Sequence, residues 1–182
     1  LALMQLAPND QRGSLLLAQI YNQQDRTEDA VNTLAKALDN YPDSYKLRLE
    51  YARLLTLSNR SKALEEFEIL HVANPSSPEV NYILALLYLD SEMLELARQL
   101  FLTLSGDQRF SDDALYHLGS IAESNSDWIA AVGYYRQVTD GSNFLAAVSR
   151  TMMLLMDNDN LAAARTYLRE TRGMATKNIG PL

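Results

Sequence analysis

The chain has no cysteine. Disulfides, thiolate nucleophiles and cysteine-based zinc sites are therefore all excluded. Glycine (7) and proline (5) are scarce for 182 residues, and the Val-Ile-Thr alternation that builds strands is missing. No run of lysine and arginine occurs, and 23 acidic residues outnumber 16 basic ones, for a formal charge of -7. Such a chain has little with which to neutralise a phosphate backbone, so no nucleic-acid partner is expected. No apolar run approaches the roughly 18 residues of a membrane span, so direct membrane insertion by this chain is not expected either. There is no Gly-x-Ser-x-Gly elbow and no glycine-rich phosphate loop.

What is present is abundant Ala, Leu, Gln, Glu and Arg, the strong helix formers, in a chain that is 47% hydrophobic and 21% charged. That balance belongs to a folded, almost entirely helical protein. A small residue recurs as Ala30, Ala63, Ala97, Ala131 and Ala164, at spacings of 33 or 34 residues. Four residues after each stands a large apolar one: Leu34, Phe67, Phe101, Tyr135 and Leu168. A second small series, Ala18, Ala52, Ala85 and Gly119, has the same period, and three residues later come Tyr21, Leu55, Tyr88 and Ala122. Pro8, Pro42 and Pro75 close the early units.

The physical reading is a stack of two-helix units. Neither helix of a pair can bury its apolar face alone, and stacking buries a continuous core. The small residues lie where paired helices cross and admit close approach. The large residue one turn on fills the space between units. Thr27, Ser91 and Ser126 or Asp127 are suitable caps for second helices, as are Asp43, Ser77 and Asp112 for first helices. Pro78 fits the first turn of a helix. The segment Asn59-Arg60-Ser61 is one residue shorter than its counterparts.

The order small–x2–Tyr, Ala–x3–aromatic, Pro, at a period of ~34 residues, resembles the tetratricopeptide repeat. The resemblance implies an all-α fold, a right-handed superhelical solenoid of antiparallel helix pairs. Units are expected at 11–44, 45–77, 78–111, 112–145 and 146–178, the last degenerate because Met152 or Met153 occupies its first small position. Residues 1–10 read as the end of a preceding repeat and 179–182 as a tail. The opening Leu1–Pro8 lacks the basic leader of a signal peptide, so a longer protein is expected, with any targeting signal upstream. The segment Ser124–Val138 with Gly141–Phe144 is similar to late repeats of a proteobacterial outer-membrane lipoprotein. That lipoprotein scaffolds a carboxyl-terminal processing protease. This likeness implies a periplasmic, outer-membrane-anchored protein with a processing protease as partner; without it the compartment is open between that and the cytoplasm.

The tetratricopeptide resemblance implies that the inner surface of the first helices binds a protein or peptide. Counting from each first small residue, that surface holds Leu15, Gln19, Asn22, Leu49, Arg53, Tyr82, Leu86, Leu89, Tyr116, Ser120 and Glu123. Leu15, Leu49 and Leu86 could equally belong to the core between units. Tyr82 and Tyr116 stand 34 residues apart, at equivalent places on successive first helices. Chaperone-tail clamps of this family use Lys and Asn where this chain has Leu15/Gln19, Leu49/Arg53 and Tyr82/Leu86, so carboxylate-tail binding is not expected. His71 and His117 are far apart in sequence, and neither has the convergent partners of a metal site. Glu65-Glu66 and Asp112-Asp113 point about 100° apart on a helix and do not form acid–base pairs. Trp128 reads as packing before binding anchor. The expectation is a non-catalytic scaffold or adaptor without cofactor or metal. The alternative is an architectural module that self-associates.

Overall fold

The computed structural model describes residues 10–178, with side chains described as far as Thr171. Residues 1–9 and 179–182, where the end of an earlier repeat and a tail were expected, lie outside the described residues. Ten α-helices and no strand occur among the described residues. They are α1 (Gln11–Gln23), α2 (Thr27–Asn40), α3 (Tyr45–Ser58), α4 (Arg60–Ala73), α5 (Pro78–Asp90), α6 (Leu94–Leu104), α7 (Ser111–Ser124), α8 (Trp128–Tyr135), α9 (Phe144–Asp157) and α10 (Leu161–Asn178). Two compact units are formed, residues 1–88 and 89–182, and the division falls within α5.

The helix starts show which capping signals operate. Asp10, Ser44, Asn59 and Asp127 each accept a backbone N–H from the first turn, at 3.1, 3.4, 3.1 and 3.0 Å. Each satisfies a donor that the helix itself leaves orphaned. Several expected caps are displaced. Thr27 is already helical behind Arg26, and Met93 rather than Ser91 precedes α6. Ser44 replaces Asp43. Asp112 lies inside α7 and accepts from the backbone N–H groups of Thr139 and Asp140. One cause is a left-handed residue in the turn between paired helices. Asp25, Glu92, Ser126 and Asp159 have φ of 57°, 59°, 60° and 56°. That conformation is costly for a residue with a Cβ; it uses up one turn residue before the helix can begin. The link between α3 and α4 has no such residue. There Asn59 alone ends one helix and caps the next.

In the unit of residues 1–88, α1 pairs with α2 and α3 with α4, and α3 also lies against α2. The crossing residues Ala18, Ala30, Ala52 and Ala63 are buried, as are the inter-hairpin fillers Leu34 and Phe67. Polar bonds fix α5 beside α4. His71 Nδ1 donates to Asn81 Oδ1 (2.7 Å), Asn81 Nδ2 donates to the Pro75 carbonyl (2.9 Å), and Tyr88 Oη donates to Glu68 (3.1 Å). Burial pushes the Tyr88 hydroxyl up to about 12, and the adjacent Glu68 carboxylate adds to the rise.

In the unit of residues 89–182, α6 to α10 pack each against the next. Ala131 and Tyr135 of α8 join Leu115, Val138, Phe144 and Ala147 in one buried cluster. A second cluster holds Leu155, Ala164 and Tyr167, with Trp128 packed against it. Met152 also packs there, while Met153 is exposed, so the flexible thioether of Met152 takes the first small position. The expectation for Leu168 is overturned. Leu34, Phe67, Phe101 and Tyr135 are at most 1% exposed, but Leu168 is 55% exposed and Tyr167 is the buried residue. No later hairpin among the described residues covers Leu168.

Gly119 lies directly beneath Tyr135. A Cβ there would sit 2.5 Å from ring atoms Cδ1 and Cε1. The ring cannot easily swing away, because its hydroxyl donates to Glu123 (3.0 Å). Gly119→Ala is therefore expected to lower stability by about 1–3 kcal/mol through overpacking, outweighing the ~1 kcal/mol gain in helix propensity. Tyr135→Leu in the same chain should recover part of the loss. The denaturant midpoints of the two variants check both statements.

Candidate functional site

The residues named for the binding surface lie on α1, α3, α5 and α7, the first helices of successive pairs. Their crossing residues face the partner helix and are buried. Positions one and four residues after a crossing residue, and three before it, lie roughly 40–100° round the helix from it, on the flank beside the crossing.

In the unit of residues 1–88, three of the named residues are brought together. Leu15, Gln19 and Asn22 line a concavity of about 60 Å³ with Ala18, Leu34, Glu50 and Leu54. Leu15 is half-buried, whereas Gln19 and Asn22 are exposed. Leu49 is half-buried on α3, and Tyr82 and Leu86 are half-buried on α5. Arg53 is engaged within the chain: its Nη1 donates to Glu50 (3.0 Å) and its Nη2 to Glu79. Its guanidinium thus joins α3 to α5, which further weakens the case for a carboxylate clamp.

In the unit of residues 89–182, Leu89, Tyr116, Ser120 and Glu123 are all half-buried. The Tyr116 ring lies 5.6 Å from the Tyr135 ring, tilted at 47°, and meets His117 edge-on at the same distance. Glu123 accepts from Tyr135 Oη and from Arg150 Nη2 (3.3 Å). Burial raises the Tyr135 pKa, and the hydrogen bond to Glu123 raises it further.

Sequence counting missed Glu50, Leu54, Glu79 and Arg150. The lining of the concavity draws on neighbouring helices at different register positions, whereas the count held one register throughout. It also missed Met153 and Met156 on α9, which are 51% and 52% exposed. The signal for them existed: they stand one period of 33 residues beyond Ser120 and Glu123.

The histidines have structural partners. His71 bonds to Asn81, and His117 stacks on Phe101 with ring centroids 4.9 Å apart and planes 21° from parallel. The acidic pairs are divided as expected from helix geometry. Glu66 pairs with Arg48, Asp112 holds the 139–140 backbone, and Asp113 accepts from Asn143 Nδ2 (2.8 Å). Among the described residues, no three His, Asp or Glu side chains converge on one point, and no helix is long and apolar enough to cross a membrane.

Comparison with known proteins assigns the fold. Residues 12–54 match the tetratricopeptide-repeat family model. No curated protein matches the chain in sequence. Among solved structures, MamA superposes with a TM-score of 0.75 at 16% identity, covering 88% of this chain and 89% of that one. YrrB, a tetratricopeptide protein with an unusual peptide-binding site, gives 0.74 at 14% identity over 94% and 89%. PilF of Pseudomonas aeruginosa gives 0.65 at 21% identity over 86% and 72%. The fold is all-α and of the tetratricopeptide solenoid type.

The His117 environment makes stability depend on pH. Burial against Phe101 lowers its pKa, with Asp113 opposing, so the fold favours the neutral ring. The unfolded chain takes up its proton near the ordinary value of about 6.5 and then binds more protons than the fold. The contribution to stability is complete above that pH and declines as pH falls through it. The denaturant midpoint should therefore drop between about pH 7.5 and pH 5.5, and His117→Phe should remove much of the drop. An unchanged slope in the variant would assign the pH dependence to other groups.

Proposed function

We propose that the chain is a non-catalytic scaffold that holds a segment of a partner polypeptide on the faces of its first helices. The observation that carries this reading is the concavity at Leu15, Gln19 and Asn22. It combines an apolar floor with amide groups that make no side-chain hydrogen bond among the described residues. Such a surface can accept a side chain and pair with the peptide backbone around it. The tetratricopeptide fold supports the reading, and the similarity to YrrB, which has a peptide-binding site, is consistent with it.

A finer reading rests on the segment Ser124–Phe144 and its likeness to an outer-membrane lipoprotein. In that reading the intact protein is an anchored periplasmic adaptor that brings a processing protease to its substrates. Fractionation of cells making the intact protein tests it: recovery with the outer membrane is expected, and recovery in the soluble cytoplasmic fraction would remove it.

The scaffold reading itself is tested on Tyr82 and Tyr116. Amphipathic rings at first-helix positions offer contact area at low entropic cost. Tyr82→Ala with Tyr116→Ala should weaken binding of a partner captured by the intact protein by at least ~2 kcal/mol, in the range of hot-spot truncations. Loss of the Tyr116 contact with Tyr135 should also lower the melting temperature while leaving the helicity at 25 °C unchanged. Calorimetric titration with circular dichroism measures both. Native affinity in the helical variant would move the binding surface off these tyrosines.

A further inference from the structure

The concavity on α1 and α3 is specific enough to define what enters it. Its apolar lining is the buried pair Ala18 and Leu34 together with Leu15 and Leu54. At about 60 Å³ it has room for a few water-sized groups, each needing roughly 10–15 Å³ on this measure. The lining beneath is aliphatic, so a water there would find few hydrogen-bond partners. A branched aliphatic group of three or four carbons fits the space, and an indole does not. Gln19 and Asn22 stand at the rim, each with an amide donor and acceptor that can pair with main-chain groups of an extended strand.

The charge beside the concavity is also defined. Glu50 lines it, and one guanidinium, Arg53, is shared between Glu50 and Glu79. A single positive charge placed between two carboxylates leaves one negative charge in excess. The side chains of Glu50 and Glu79 remain 34% and 50% exposed. A cation brought alongside would be attracted, and a carboxylate would meet two others. Arg12 and Lys46, exposed nearer the starts of α1 and α3, limit this preference to the Glu50 side.

We infer that this subsite takes a valine-sized aliphatic side chain of an extended peptide, with a lysine or arginine next to it directed to Glu50 and Glu79. The inference rests on the reading of the first-helix face as a peptide-binding surface and adds the side-chain chemistry of the ligand. Amide hydrogen bonds to the strand backbone fix its path, the aliphatic group fixes its register, and the basic residue fixes which neighbours are tolerated. Specificity then includes rejection as well as attraction, because an acidic neighbour is repelled.

The test uses the whole chain, labelled with ¹⁵N, and four blocked peptides in a glycine-serine background. Their central pairs are Val-Lys, Gly-Lys, Trp-Lys and Val-Glu. The Val-Lys peptide is expected to shift the side-chain amide signals of Gln19 and Asn22 and the backbone signals of α1 and α3. Each of the other three should bind about tenfold more weakly, equivalent to ~1.4 kcal/mol. Glu50→Lys should abolish or reverse the preference for Val-Lys over Val-Glu, and added salt should reduce that preference in the native chain. Equal shifts at Gln19 and Asn22 with all four peptides would overturn the inference while leaving the scaffold reading intact. Shifts confined to α2 and α4, or none at millimolar peptide, would overturn the inference, and with it the assignment of binding to this face. Native helicity of Glu50→Lys by circular dichroism guards against a folding artefact, and the peptide series on the unaltered chain stands without that variant.

Discussion

Close approach of two helix backbones is the constraint from which the rest of the structure follows. Ala18 and Ala30, Ala52 and Ala63, and Gly119 and Ala131 are all buried at the crossings within their pairs. A methyl group or a hydrogen is what those crossings accept, and Tyr135 over Gly119 shows how little room is left. Once the crossing is fixed, a helix turn places Leu34, Phe67 and Tyr135 between hairpins and sets Leu15, Gln19 and Ser120 on the flank, roughly 60–100° round the helix from the crossing residue. The core and the proposed binding surface are thus two consequences of one spacing.

The fold was legible for that reason. The small residues recur at a period that no single helix or strand generates, so the two-helix unit could be read without knowing any contact. The turns were less legible. Asp25, Glu92, Ser126 and Asp159 adopt a left-handed conformation without being glycine, and nothing in their side chains announces it. The helix starts were consequently misjudged at Thr27 and Ser91. Asn81 was also missed. A lone asparagine among Val80, Ile83 and Leu84 gives no sign that it bridges His71 to the Pro75 carbonyl.

The surface was legible in position but not in electrostatics. Periodicity identifies Arg53 and Glu123 as surface residues, and both are half-buried on first helices. It does not say that each already has partners: Arg53 has Glu50 and Glu79, and Glu123 has Tyr135 and Arg150. Ion pairs between helices depend on side-chain reach as well as register, and reach is not a periodic property. Nor are the faces alike chemically. Amides and carboxylates mark α1 and α3, whereas α9 presents Arg150, Met153 and Met156. Thioether chains adapt to irregular apolar partners, while amides select for backbone geometry. A repeat can therefore keep its architecture while each turn of it selects different chemistry.

Asn59 carries a consequence of another kind. The other helix pairs are joined by turns with spare residues, where an added residue can be absorbed by the loop. At Asn59 the same residue terminates α3 and starts α4 through its bond to the Lys62 amide. An insertion there has no slack to occupy and would rotate α4 about its axis by roughly 100° per residue, turning Ala63 away from Ala52. Evolution can lengthen this chain at its wider turns, and an engineer can splice a tag or a domain into them. The α3–α4 junction admits neither, and among the described residues it is the one intra-hairpin turn whose length the helix crossing itself fixes.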